Sequence, residues 1–465
     1  MSAPRILFWW DTEDFINPES DDALLLILEQ FRKRGMPAVF KMVGEKTRAL
    51  LRRRRTDIIE LLKDDRFEIG FHTDLHSIHP TVAEYTERCD WQSGVAEILR
   101  RESRGVEVTR ETFGKEIICY GQPGASFTPF AYGALRVWGI PAYLGGSVYL
   151  GDEIMPTELA GIFSLAGMWS ARAGFDARSG REALASAKAA LERLRESLPE
   201  GALISHGNHP NEWSLDRWWD EVNFLAGASP DAERYEAAPV VTRSELTTRV
   251  RLLGDYLDWI RERGFGVVGV RESLSSFSPG KGSLSREDVQ AVARQWSTGE
   301  VGLHVHAGKR LSLSAAQCLH LLARALARPA AEGFEVARVD APVYLEGIRT
   351  EQRVALTGEK LKALAAFLAS YIDRCGTLPA RVEAPGCEPV APAVLGVAIA
   401  RHLAGGRNTI AVDSVRFLPG ELVRTYGKDV GPWSIHRPSF TGENLRHYTQ
   451  LLSWSYRPLF SQLGR

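Results

Sequence analysis

Cysteine is scarce and carries no pattern: the five residues Cys89, Cys119, Cys318, Cys375 and Cys387 form no CxxC pair. Odd in number along a long chain, they exclude a Cys-based zinc site and a secreted disulfide framework, and read as reduced thiols used mainly in packing. Net charge is nearly absent as well, with 57 Lys and Arg against 58 Asp and Glu. Without a global positive field, nucleic-acid binding would need a local basic patch. The one dense basic run, Arg52 to Arg55, sits between apolar pairs and reads as the solvated face of a helix, so no nucleic-acid partner is expected. Long hydrophobic runs are missing too. No segment approaches the roughly 20 apolar residues of a membrane span, and the opening residues reach Asp11 too soon for a signal-peptide apolar segment. A membrane partner is therefore not expected, and the expected address is cytoplasmic.

What is present is the composition of a folded chain: 465 residues, 44% apolar and 25% charged. That length suits two or three domains, or one large α/β domain with a smaller companion. Residues 5–11 read as an apolar strand, 22–34 as a helix, 38–43 as a second buried strand, and 67–71 as a third that runs into His72. Further strands are expected at 117–120, 142–144, 202–205 and 266–270, with helices at 181–197 and 246–263. This alternation predicts parallel βαβ units, an α/β sheet or barrel whose active groups gather at the carboxyl ends of strands. A polar, Gly- and Pro-containing stretch from Ser276 interrupts the pattern. The expected division is a barrel over 1–276, a linker over 277–284, and a mainly helical accessory domain over 285–465 with helices at 313–328, 357–374 and 391–404. In that region Val305, Ala307, Ala316, Ala323-Arg324 and Leu326-Ala327 recur 77 residues later as Val382, Ala384, Ala393, Ala400-Arg401 and Leu403-Ala404, the mark of a duplicated module.

The chemistry concentrates in His72-Thr73-Asp74-Leu75-His76. Two imidazoles four residues apart lie on one side of a helical turn and can share a metal ion. Asp11 and Glu13, two apart on an extended backbone, face the same way, with Asp14 beyond them. One carboxylate and two imidazoles leave a divalent ion an open position for water, whose pKa can fall to about 7, and a second carboxylate can take its proton.

The run from Phe67 to His76 resembles the second motif of the NodB-type polysaccharide deacetylases, carbohydrate esterase family 4, in which a Gly-containing strand leads into H-[ST]-x-x-H. Asp11-Thr12-Glu13-Asp14 is similar to a variant of their first motif, and the resemblance covers about residues 5–275. It implies a distorted (β/α) barrel of NodB type and a divalent metal, zinc first with cobalt or nickel as alternatives, held by one carboxylate and two histidines. It also implies hydrolysis of an acetamido group on a sugar. His72 and His76 become the metal-binding histidines and Asp11 the catalytic base. The metal carboxylate stays open between Glu13, favoured by the two-residue alternation, and Asp14, which the adjacent Asp-Asp form of the motif would use with Glu13 as base.

The third motif normally carries an Arg before a Pro-containing turn, and that Arg holds the base by a charge-assisted fork. Here the matching stretch is Tyr120-Gly121-Gln122-Pro123-Gly124, with Gly121 or Gln122 where Arg is expected. The final motif, a strand ending in a general-acid histidine, falls on Leu203 to Pro210, with His206 as the expected acid and His209 as its alternate. Pro123, Gly124, His209 and Trp213 are the expected substrate contacts, and Trp169 and Asp176 are candidates for a loosely defined fourth motif. The pairs Trp9-Trp10 and Trp218-Trp219 read as half core and half surface. Residues 285–465 faintly resemble pseudomurein-binding repeats; the alternative is a module that closes over the barrel mouth or mediates self-association into a homo-oligomer. The functional expectation is a metal-dependent amidohydrolase acting on an N-acetylated sugar or glycan. Hydrolysis of a cyclic amide or ureide, and a catalytically silent glycan-binding protein of the same fold, are the alternatives.

Overall fold

The computed structural model describes residues 4–145, 156–165, 169–171, 180–198, 201–280, 282–406, 408–423 and 435–462. In it the opening apolar run is β1 (Arg5–Thr12). It is followed along the chain by β2 (Ala38–Met42), β3 (Phe67–Phe71), β4 (Ile117–Tyr120), β5 (Ala142–Tyr143), β6 (Thr157–Leu159), β7 (Ile162–Ser164), β8 (Trp169–Ala171), β9 (Leu203–Asn208) and β10 (Gly266–Val268). These strands form one sheet in the order β6-β7-β5-β4-β3-β2-β1-β9-β8, parallel throughout except for β6. β1 is shared on one side, its first residues pairing with β10 and Trp9–Thr12 pairing with β2. The order is linear, with β8 at one end. The α/β expectation is met, among the described residues, by a curled half-barrel sheet.

Side-chain parity explains the two faces. Ile6, Phe8 and Trp10 of β1 join Phe40, Ile69 and Ile204 in the large cluster beneath the helices. Leu7 joins Val39, Cys119, Ala142 and Leu203 in a small cluster on the other face. Those five span the sheet from β9 to β5 and still share one cluster, so the face they line is concave. The helix Glu19–Arg34 packs Leu24, Ile27, Leu28 and Phe31 onto the outer face and ends at Gly35, whose φ of 65° is the left-handed cap that glycine adopts without strain. The strand expected to reach residue 270 stops at Val268. The Glu68 side chain accepts from the Val270 and Arg271 amides and starts the helix Val270–Ser276 there.

Beyond residue 280 two β-α-α-β units follow each other. The first comprises Ser283–Ser285, Arg286–Trp296, Ala315–Ala327 and Gly333–Glu335; the second comprises Val354–Thr357, Gly358–Cys375, Pro392–Gly405 and Thr409–Val412. In each unit the outer strands pair antiparallel. The first helix of one unit packs on the second helix of the other, in both directions. The 77-residue recurrence falls mainly on the second helix of each unit. The chain then returns to the sheet: Arg457–Pro458 pairs with β6, and Phe460–Ser461 pairs with Phe277–Ser278. A single apolar cluster runs from Leu253 on the sheet side to Leu319 and Leu395 in the two units. No helix among the described residues is long and apolar enough to cross a membrane.

Candidate active site

Every site residue comes from the carboxyl edge of the sheet. Asp11 lies in β1, and Glu13 follows it directly after the strand. Being odd-numbered like Leu7 and Trp9, both carboxylates belong to the concave side. His72 is the first residue after β3, and His209 the first after β9.

The His72–His76 segment is not a helical turn. Thr73 and His76 have φ of 64° and 51°, and these two left-handed residues, not helical periodicity, bring the rings together with centroids 5.0 Å apart. The loop is pinned from outside. The Asp74 amide donates to Glu102 Oε2 at 2.6 Å, and the Asp74 carboxylate pairs with Arg48 at 2.7 Å. A Cβ at either Gly44 or Gly105 would collide with Asp74, so two glycines on neighbouring helices make its slot.

The two imidazoles are oriented alike. His72 Nδ1 donates to the Gly121 carbonyl at 2.9 Å. His76 Nδ1 donates to Ser77 Oγ at 2.7 Å, and that hydroxyl donates to Asp220 Oδ2 at 3.1 Å. Each Nε2 then presents a lone pair to the same carboxylate oxygen: Glu13 Oε2 stands 3.3 Å from His72 Nε2 and 3.0 Å from His76 Nε2. Glu13 Oε1 is held by the Trp219 indole N–H at 2.8 Å. Lone pairs facing each other at this range need a positive species between them. Bonds of about 2.0–2.1 Å meeting tetrahedrally place ligand atoms about 3.3 Å apart, and all three donor atoms lie within 4.8 Å of one another. With each Nδ1 tied to an oxygen, the second shell is the one that ligating histidines use. The donor set fits a divalent cation of the zinc type.

Asp14 is turned away from this centre. Its Oδ1 accepts from the Ile16 and Asn17 amides at 2.9 and 3.0 Å, and Oδ2 accepts from Ser20 Oγ, so it organises the turn before the first helix. Burial lifts its carboxyl above the ordinary value despite Lys46. The geometry therefore brings Glu13, not Asp14, to the two imidazoles. Arg53 serves the same turn. It donates to the Phe15 and Ile16 carbonyls and to Asp21, so this member of the basic run is a clamp rather than a solvated charge.

Asp11 is 7% exposed and sits beside the cluster. Its Oδ1 pairs with Lys41 Nζ at 2.7 Å; its Oδ2 lies 3.8 Å from His72 Nε2 and 3.6 Å from His209 Nε2. Burial pushes the Asp11 carboxyl up, but His72, Lys41 and His209 together outweigh it and hold it below the ordinary carboxylate value. Glu13 is held well below, burial being overcome chiefly by the attraction of His76 and His209 and by its close contacts with the His72 and His76 rings. A second donor set, Asp11, Glu13 and His209, overlaps the first. The first is the tighter, because His209 Nε2 is 4.0 Å from Glu13 Oε2 and Asp11 already has a cation.

His206, the expected general acid, lies on the other side of the sheet. It pairs in register with Phe8, packs tilted against that ring at 4.5 Å and against Tyr256 at 5.6 Å, and is fully buried among the outer core. The strand parity of β9 places Ser205 and Gly207 on the concave face instead, against Trp9. His209, its alternate, is the imidazole that reaches the centre. Glu212 Oε1 stands 3.3 Å from its Nδ1, and Trp218 packs edge-on at 4.7 Å. Trp213 also falls on the outer side, 2% exposed against Trp10 at 6.0 Å, and is a core residue rather than a pocket wall. Pro123 and Gly124 form the turn after β4, where Gln122 reaches back to the Gly124 carbonyl at 3.3 Å and accepts from the Tyr143 hydroxyl. Trp10 and Trp219 are wholly buried, while Trp9 and Trp218 are partly open, as the paired tryptophans suggested. Asp176 lies outside the described residues, as does the side chain of Trp169.

Lys41, Ser77, Asp220 and Glu212 were not singled out from sequence, and Trp219 only as one of a tryptophan pair. Lys41 alone left a signal, a charge in the wholly buried strand Ala38–Met42. Trp219→Phe keeps the ring packing and removes the indole N–H from Glu13. It is expected to weaken zinc affinity by about 10–100-fold in a chelator competition, with an unchanged circular dichroism spectrum. Burial lifts Asp220 to about 7 from an ordinary 3.8, more than His76 and Ser77 lower it, and Glu13 adds to the rise. Between about pH 4 and 7 the folded chain therefore keeps a proton that the unfolded chain has released. This contribution to stability is full below about pH 4 and lost as pH rises through 7. Asp220→Asn is expected to flatten the decline in unfolding free energy of chelator-treated protein between pH 5 and 8, by no more than about 3 kcal/mol. The same decline in unfolding free energy with pH in both proteins would contradict this.

No family model and no curated protein matches the chain. Solved structures similar to it include a candidate polysaccharide deacetylase from Mycobacterium smegmatis, 15% identical with a TM-score of 0.40 over 59% of this chain and 90% of that one. A CE4 family pseudoenzyme from Bacillus anthracis is 12% identical with a TM-score of 0.32, over 58% of this chain and 65% of that one, just under two-thirds of its length. A 4-alpha-glucanotransferase from Thermococcus litoralis is 14% identical with a TM-score of 0.37, over 58% and 38%. At these values the likeness assigns no residue and no activity, and the functional reading is built from the site itself. Nothing in these comparisons concerns pseudomurein-binding repeats.

Proposed function

We propose that this chain is a metal-dependent hydrolase that removes an amide-linked acetyl group from an N-acetylated sugar or glycan. The observation that carries the reading is the convergence of His72 Nε2 and His76 Nε2 on Glu13 Oε2, with both Nδ1 atoms tied to oxygens and Asp11 left beside the set with one oxygen unengaged by Lys41. A divalent cation, zinc first, held by Glu13, His72 and His76 supplies Lewis acidity toward water and toward a carbonyl oxygen.

The remaining work falls to the chain's own groups. Lys41 fixes Asp11 Oδ1, which leaves Oδ2 directed at the space between His72 and His209. Held ionised by its neighbours, Asp11 takes the proton of the attacking water. His209 Nε2, on the same side and 3.6 Å from Asp11, delivers a proton to the leaving nitrogen as the C–N bond breaks, with Glu212 on Nδ1 orienting the ring. Acyl carbon gains the hydroxyl and nitrogen gains the proton, so the hydrolysis balances.

The lack of an arginine at Gly121 no longer favours a silent glycan-binding protein, because Lys41 places a cation on Asp11 from a different strand. The cyclic amide or ureide alternative uses the same groups and differs only in substrate. A cytoplasmic setting belongs to the same reading. The test is acetate release from N-acetylglucosamine oligomers, with succinimide as the cyclic comparison. Activity is expected to vanish with a chelator and return with Zn²⁺ or Co²⁺. Full activity without metal, or tight oligomer binding with no turnover by the zinc-loaded chain, would overturn the reading.

A further inference from the structure

We propose that Lys41 restricts this centre to one divalent cation, its ammonium standing where charge compensation for a second would otherwise be needed; this rests on the cation-binding reading of Glu13, His72 and His76. Two three-residue donor sets overlap here, Glu13/His72/His76 and Asp11/Glu13/His209, with Glu13 common to both. A carboxylate shared between adjacent donor sets is the arrangement that holds paired ions about 3.5–4 Å apart in two-metal hydrolases. Geometry alone would thus admit a second ion beside Asp11.

Lys41 opposes it. Its Nζ lies 2.7 Å from Asp11 Oδ1, donates to the Leu144 carbonyl at 2.9 Å, and sits 4.0 Å from the centroid of the Trp9 ring. Its side chain is 2% exposed. A Cβ at Gly121 would collide with the ammonium, and one at Gly70 with the Lys41 stem. The concave face is therefore shaped around this side chain, and its contacts hold the ammonium on Asp11. With Lys41 in place, Asp11 and Glu13 are already outweighed by the ammonium and one divalent ion together, and a second ion would meet a net positive centre. Without Lys41, one divalent ion only neutralises the two carboxylates, and Asp11 becomes a buried anion with no fixed partner, the state in which a further cation is drawn in.

The probe is Zn²⁺ alone, titrated into chelator-stripped full-length protein by calorimetry, with metal analysis of the desalted product. Wild type and Lys41→Arg are expected to hold one ion per chain, Lys41→Met two, and Lys41→Met/Asp11→Asn one again. Asp11→Asn alone is expected to keep the single ion with wild-type affinity, which tests the same division of ligands should Lys41→Met fail to fold. Two ions in wild type, one ion in folded Lys41→Met, or loss of the ion in Asp11→Asn overturns the role given to Lys41. A wild-type chain that holds no zinc instead overturns the underlying cation-binding reading.

Discussion

Asp11→Asn is expected to lower kcat for acetate release by about 10²–10⁴-fold, with KM and bound zinc unchanged. The amide keeps the volume of the carboxyl group, and its oxygen can still accept from Lys41 Nζ where Oδ1 stood, 2.7 Å away. It cannot accept a proton at the second position, which faces His72 and His209. A loss confined to kcat is the signature of a group needed only during proton transfer. If metal content fell in parallel, Asp11 would belong among the ligands and Lys41 could not be its permanent partner.

The second large effect separates two histidines three residues apart. His209→Ala is expected to reduce kcat by about 10²–10³-fold with zinc content and melting temperature near wild type, because its ring reaches the centre only through Nε2 and is partly solvated. His206→Ala is expected to do the opposite. It removes a fully buried ring from between Phe8 and Tyr256, so it should cost about 2–4 kcal/mol of stability in denaturant unfolding while folded protein retains its kcat. The reverse pattern would return the general acid to His206 and require β9 to present its other face.

That contrast shows what could be read from sequence. Strand positions were legible because apolar runs bounded by turn residues have few alternatives, and β3 and β4 fall where the pattern places them. The Asp11–Glu13 alternation also carried through, since period two holds to the end of β1. It failed at β9 because the sequence does not say which parity faces inward; that is fixed by register with β1, where Phe8 opposite His206 commits the imidazole to the outer core. The His72–His76 pair was legible as a pair, but a helical turn was the wrong cause, since left-handed backbone at Thr73 and His76 cannot be inferred from residues that rarely adopt it. Lys41 escaped because a lysine in a buried strand usually carries its charge out to solvent. Here the pocket that holds it is built by Gly70 in β3 and Gly121 just after β4. Trp219 and Asp220 meet Glu13 and Ser77 from 206 and 143 residues away, contacts that only the fold creates.

The most direct measurement is metal analysis of the purified chain beside His72→Ala/His76→Ala, both stripped and reloaded with Zn²⁺. About one ion per wild-type chain and none in the double variant is expected if Glu13, His72 and His76 meet on a common cation. Equal zinc in the two proteins would mean that the cation, if any, is held elsewhere, and the hydrolase reading would lose its centre.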